Sequence, residues 1–503
     1  MKAYRRLSAF ILALTLCIGL SACGATESKA ESASSQTEIT TEITTDNTAN
    51  ETTDSPAESG ENDRPESPPD GDRPDAPPDG NGGGGTPPGG GAPGGSSSAD
   101  IDYQGTVEIS SADVQTGQTY DSSTSDVSAL LIATADDVTI TNPTVTKTGN
   151  SDGGDNCNFY GLNAAVLVKD GANVTITGGT VTSDADGANG VFCYGGNGGQ
   201  NGASGDGTTL TIRDTVIKTT GSGSGGIMTT GGGITYAYDL DVTTSGQSSA
   251  AIRTDRGGGT VYADGGTYTS NGLGSPAIYS TAEIHVANAD LTANLSEGVC
   301  IEGKNSIELT DCDLTANNTQ CNGNATFCDT IMIYQSMSGD ADSGTSSFTM
   351  TGGTLTSKNG HVFHVTNTNA VINLSGVTVV NEDSDNILLS VCADGWSGAS
   401  NIATLNADGQ TLTGIIKVGS DSQLTLNLTN GSAFTGAIDG SITNAKGTTV
   451  SAEIGTVAVR LDSTSTWTLT ADTYITSFDG DAANVIANGY TLYVNGTALT
   501  GTK

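Results

Sequence analysis

Aromatic and charged side chains recur through the middle of this chain, several of them two residues apart. They are Phe192 and Tyr194, Arg253 and Asp255, Tyr279, Glu302, Tyr334 and Phe363. Residues two apart in an extended strand share one face. Rings beside carboxylates and a guanidinium suit sugar recognition, because rings pack on C–H faces and carboxylates accept from hydroxyls. The same row would equally serve as a second small core if loops cover it, and both readings stand at this level. Arg253-Thr254-Asp255-Arg256 is the densest charge group on an expected strand. Asp152 and Asp155, in a Gly-rich segment, offer oxygen ligands of the kind Ca²⁺ takes. His361 and His364 are three apart, which on a regular strand puts them on opposite faces and argues against a shared metal. Val362 and His364 are then expected to point inward, with His364 buried and hydrogen-bonded. The chain has no phosphate loop of the G-x-x-x-x-G-K-[ST] form and no C-x-x-C.

The elements that must position these residues repeat. A short β-branched segment returns as Thr144-Val145-Thr146, Thr180-Val181-Thr182, Asp241-Val242-Thr243, Asp290-Leu291-Thr292 and Thr354-Leu355-Thr356. From Ile217 on, most steps between its central residues are roughly 23–26 residues, a period that signals a solenoid. Two further strands occur in several units. One carries Val166, Val191, Ile227, Ile252, Ile278, Val299, Ile331, Val362 and Leu388, expected to stack as one internal apolar column. The other alternates cleanly, as in Val174-Thr175-Ile176 and Ile284-His285-Val286. Gly, Asn and Asp lie between strands, where tight corners need positive φ. Insertions are expected as loops around 149–160, 195–207, 317–328 and 337–346, and in solenoids such loops often gather on one face and carry function. After about residue 400 the repeat loosens, as expected of irregular coils that cap the stack.

Composition agrees with an all-β chain. Of 503 residues 70 are Gly, only 15% are charged, and Gly does not fall on every third position, which excludes a collagen reading. The formal net charge of -38 opposes binding to nucleic acid and to anionic lipid.

Three short strands in a turn of about 23 residues resemble the right-handed parallel β-helix superfamily that includes pectate lyases, polygalacturonases, autotransporter passengers and many surface lipoproteins. The resemblance covers roughly 101–503 and rests on repeat form, not on a catalytic signature. It implies a solenoid of three strands per coil, with right-handed crossovers. Polysaccharide lyases of this superfamily use an Arg or Lys base and carboxylate-bound Ca²⁺. That would cast Arg253 as base with Asp255 and Glu302 as ligands, although no spacing supports it.

The N-terminus reads as an address. Lys2, Arg5 and Arg6 precede an apolar run from Leu7 to Leu20, and Leu20-Ser21-Ala22-Cys23 resembles a bacterial lipobox. The resemblance implies a signal peptide over 1–22, lipidation of Cys23 and anchoring on the extracellular face of a cell membrane, in a Gram-positive cell. Residues 23–100 are rich in Ser, Thr, Pro and Gly and hold too few apolar side chains to fold, so a disordered tether is expected. Cys157, Cys193, Cys300, Cys312, Cys321, Cys328 and Cys392 remain, an odd number, with Cys321 and Cys328 placed to close an insertion. Three functions fit these features: a lipid-anchored protein binding polysaccharide or cell-surface glycan along an exposed sheet, an adhesin or structural surface protein, or a polysaccharide lyase or hydrolase.

Overall fold

The computed structural model describes residues 101–198 and 204–503. The expected signal peptide, Cys23 and the linker lie outside the described residues. The chain from Ile101 onward folds as a parallel β-helix. Its strands form three long sheets of 15, 14 and 10 strands, and neighbours in a sheet come from successive coils. Val166–Lys169, Asn173–Thr177 and Thr180–Ser183, for example, give one strand each to the first, second and third sheets. Pairing between successive coils is parallel and in register, so like positions stack about 4.8 Å apart.

Alternation builds the core. Val174, Leu210, Thr235, Val261, Ile284, Ile307 and Phe348 occupy one register column of the second sheet and point inward, all buried. The corners between the second and third sheets take left-handed φ in coil after coil: Asn142, Asp214, Asp239, Asn288 and Asp311, or a Gly pair. Asn and Asp tolerate this region because their short polar side chains bond locally. At Gly179, with φ 80°, an added Cβ would lie 2.2 Å from the Pro143 carbonyl oxygen, so the coils approach too closely for any other residue.

The third sheet stops at Asn381. The coils that follow keep two long strands, such as Asn401–Asp408 and Thr411–Val418, joined by the two-residue turn Gly409-Gln410, and the last coils add a small third sheet from Thr473–Ile475, Leu492–Val494 and Thr497–Ala498. This is the physical form of the loosened repeat after residue 400. The solvent face there carries an amide ladder: Asn427 Nδ2 donates to Asn406 Oδ1 at 2.7 Å, and Asn406 Nδ2 donates to Asn373 Oδ1 at 2.8 Å.

The expected apolar column of the first sheet runs from Val166 to Ile331, and there its last two members are corrected. Ile331 pairs with Phe363 and Phe363 with Leu389, one residue beyond Val362 and Leu388. Phe363 fills the interior, edge-on to Phe348 with ring centroids 5.9 Å apart. His364 therefore takes the outer side, in register with Met332 and Ser390.

Candidate functional site

The outer face of the first sheet is roofed. Residues 153–163, including the short helix Asp155–Phe159, close its N-terminal part. Phe192 and Tyr194 are buried there with Phe159, Tyr160, Leu167 and Met228. Thr230 Oγ1 donates to the Phe159 carbonyl at 2.6 Å and ties the roof down. Farther along, Tyr279 and Tyr334 are buried with Met332, Ala325 and Trp396, the Tyr334 and Trp396 rings 5.0 Å apart. Of the two readings the sequence left open for this row, the loop-covered second core is the one observed, and the exposed binding surface is corrected: Phe192, Tyr194, Arg253, Asp255, Tyr279, Glu302 and Tyr334 are all buried, and Phe363, expected outward, points into the helix. The reason is the insertions, whose apolar side chains lie over this one face.

The charges beneath the roof are internally paired. Arg253 Nη2 donates to Asp255 Oδ2 at 2.5 Å, and the guanidinium lies over the Tyr279 ring at 5.1 Å. Burial raises the Asp255 carboxyl while Arg253 pulls it down. Glu302 is fully buried and accepts from Tyr279 at 2.6 Å, from Tyr334 at 3.0 Å and from the Ser336 hydroxyl. Burial raises its carboxyl, and the hydroxyl donors oppose that rise. A base needs access to its substrate, so this trio does not form an open lyase centre. It is a buried network holding roof to sheet, as is Arg256, which binds Asp340 through two nitrogens and lies 4.2 Å from the Phe159 ring.

The second sheet carries aromatic chemistry into solvent. Tyr236, Tyr262 and His285 occupy one outward register column. Their rings stack in a ladder, 5.3 Å between the two tyrosines and 5.0 Å from Tyr262 to His285, each with 11° between planes. Tyr262 is 39% exposed. His285 is held by Glu283 at 2.8 Å and Glu308 at 3.0 Å. The ladder forms one wall of a cleft of about 430 Å³, with Tyr238, Asp264 and Glu308 also lining it. Ala287, in the neighbouring outward column, is small enough to leave that space. Arg213 lies over the Tyr238 ring at 4.3 Å at the edge of the column. The sequence held the signal for this ladder, since outward positions of the alternating strand line up once the coils are registered. It lay on the strand whose exterior otherwise reads as plain Thr.

Asp152 and Asp155 are both exposed, one before and one in the first turn of the roof helix. Among the described residues the His, Cys, Asp and Glu side chains that converge as a possible metal cage are Asp329, His361 and His364, and neither of those aspartates belongs to it. The expected separation of the two histidines is thus corrected. Because the register places Phe363 inward, His364 turns outward, and the Nδ1 atoms of both imidazoles reach the same Ser390 hydroxyl. No protein-family model and no curated protein matches this chain.

Proposed function

We propose that this β-helix binds polysaccharide along its second sheet, with Tyr236, Tyr262 and His285 as the aromatic wall. The observation that carries the reading is the solvent-facing stacked ladder beside a cleft edged with carboxylates. The Tyr236 and Tyr262 phenols repeat at the rise of one coil, and the Asp264 and Glu308 carboxylates stand two coils apart in neighbouring columns, offering donors and acceptors along a linear chain of sugar hydroxyls. The cleft side chains and the net charge of -38 favour neutral or amino sugars over polyuronates, which the field would repel. A lipid on Cys23, with the Pro- and Gly-rich segment as spacer, would present the domain outside the cell. Lipidation and surface display rest on the lipobox-like Leu20-Ser21-Ala22-Cys23.

The test is a glycan panel of neutral, amino and acidic polymers probed with the full chain. Binding to neutral or amino glycans without chain shortening, lost in Tyr236→Ala/Tyr262→Ala, supports the reading. Failure to retain any glycan overturns it in favour of the adhesin, and release of shortened chains overturns it in favour of an enzyme.

A further inference from the structure

Under the roof of the first sheet lies a polar cluster that the glycan reading does not use. Asp329 begins the strand Asp329–Tyr334, and His361 and His364 lie on the next strand, His361–Thr366, in register with it. One ligand atom from each of the three lies within 4.8 Å of the others. Asp394 adds a second carboxylate, with Oδ2 3.6 Å from His364 Nε2.

Their hydrogen bonding is incomplete in a specific way. Asp329 is fully buried and neither of its carboxylate oxygens has a hydrogen-bond partner. His364 Nε2 and Asp394 Oδ2 are also buried without one. A carboxylate taken out of water with no donor is among the costliest arrangements a fold can hold. The surrounding bonds, by contrast, are complete and orient the cluster. Asp394 Oδ1 accepts from Thr326 N at 2.9 Å and from Thr326 Oγ1 at 2.6 Å, which leaves Oδ2 facing His364. Ser390 Oγ lies 2.7 Å from His361 Nδ1 and 2.6 Å from His364 Nδ1. A hydroxyl oxygen has two lone pairs, so Ser390 accepts from the Nδ1–H of both imidazoles, a pattern that leaves the Nε2 atom of each with its lone pair free. Phe327 packs against both rings, at 5.3 and 4.8 Å.

Two imidazoles and two carboxylates, oriented by outer hydrogen bonds and lacking only a positive centre, describe a site for a borderline-hard divalent cation. Ca²⁺ is disfavoured because it takes oxygen ligands almost exclusively. Access exists on one side, where the partly exposed edge of His361 lines a cleft of about 280 Å³ beside Phe327, Cys328 and Asp383. We propose that Asp329, His361 and His364, with Asp394 as fourth ligand, bind one divalent transition-metal ion of the zinc class and pin the roof segments 318–328 and 392–397 to the sheet. Bonds of about 2.0–2.2 Å require the side chains of Asp329, His361 and His364 to turn so that their ligand atoms draw together by roughly 1 Å, and the loop-borne Asp394 to close on the same point.

The full chain, stripped with chelator and dialysed, is titrated with Zn²⁺ by calorimetry and with Co²⁺ by absorption spectroscopy. We expect one equivalent of either metal, a raised melting temperature, and a Co²⁺ spectrum of nitrogen and oxygen ligands without a thiolate charge-transfer band. Asp329→Asn, which keeps the side-chain shape, should lose at least tenfold in affinity while its metal-free melting temperature holds or rises. Absence of stoichiometric binding overturns the proposal, as does unchanged affinity in Asp329→Asn. A thiolate band would transfer the site to Cys321 and Cys328 and overturn the ligand assignment, and it reads out on the unmutated chain.

Discussion

Tyr262 stacks on His285 with ring centroids 5.0 Å apart and 11° between the planes, the two residues holding one register position in successive coils. Parallel in-register pairing sets neighbouring strands about 4.8 Å apart, close to the contact distance of two flat rings. The fold therefore aligns these rings without help from loops. Replacing Tyr262 by Ala is expected to lower glycan affinity about fivefold, corresponding to roughly 1 kcal/mol for one lost ring contact. Thermal stability should hardly move, because the ring already faces water. Affinity gel electrophoresis measures the first and scanning calorimetry the second. Unchanged retardation would remove the ladder from the binding site.

Tyr279→Phe tests the opposite location. The Tyr279 hydroxyl donates to the buried Glu302 at 2.6 Å, so its removal leaves a carboxyl with one donor fewer and no route to water. A loss of about 1–3 kcal/mol in unfolding free energy is expected, with glycan affinity unaltered. Denaturant melts of the variant check the stability, and a drop in affinity with intact stability would return the buried row to the binding site.

Lys147 gives the domain a pH signature on the alkaline side. Its side chain is buried, and Nζ donates to the carbonyls of Thr124 at 2.8 Å and Gly149 at 2.6 Å. Burial lowers the ammonium to about 8, against the opposing pull of Asp126. Between that value and the ordinary lysine range the unfolded chain binds more protons than the folded one. Stability from this group thus rises with pH from about 8 to about 10.5, by up to about 3 kcal/mol, and is flat below. Lys147→Met should remove that part of the slope. Chemical unfolding at a series of pH values measures it, and identical slopes in the two proteins would contradict the assignment.

Cys321 and Cys328 flank the roof insertion with their sulfurs 3.7 Å apart, both as free thiols. The shared hydrogen bond lowers the Cys321 thiol, which favours the thiolate that attacks in disulfide formation. Mild oxidation is expected to join this pair before any other. Cys193, Cys300 and Cys312 are buried, and burial pushes the Cys193 thiol up to about 12. Non-reducing peptide mapping should recover Cys321 linked to Cys328, and a different first pair would refute the expectation.

Much of the fold was legible because coil stacking writes itself into spacing. Val181, Ile217, Val242, Tyr268 and Leu291 share a register column in the third sheet, and the period between them is visible without coordinates. The site was less legible. Alternation says that Glu302 and Tyr334 leave the core side of their strands, but not whether water or a loop waits there. Trp396 decides that for Tyr334, as Phe159 does for Phe192 and Tyr194, and in each case other strands intervene in the chain between the ring and the residues it covers. His361 and His364 misled for a related reason: the inward residue of their strand is Phe363 and not Val362, which turns His364 outward, and His361 lies before the pairing with the next coil begins.

The sequence by itself determined the solenoid, its all-β character, its period and the positions of its insertions, because these arise from local alternation and corner residues repeated coil after coil. Only the tertiary structure decided which face the insertions roof, which aromatic residues remain in water and which carboxylates lie beside which histidines. Those outcomes depend on contacts between segments widely separated in the chain, as when Asp394 comes to face His364 and Ser390 bridges both imidazoles, and no local pattern of residues encodes such distances.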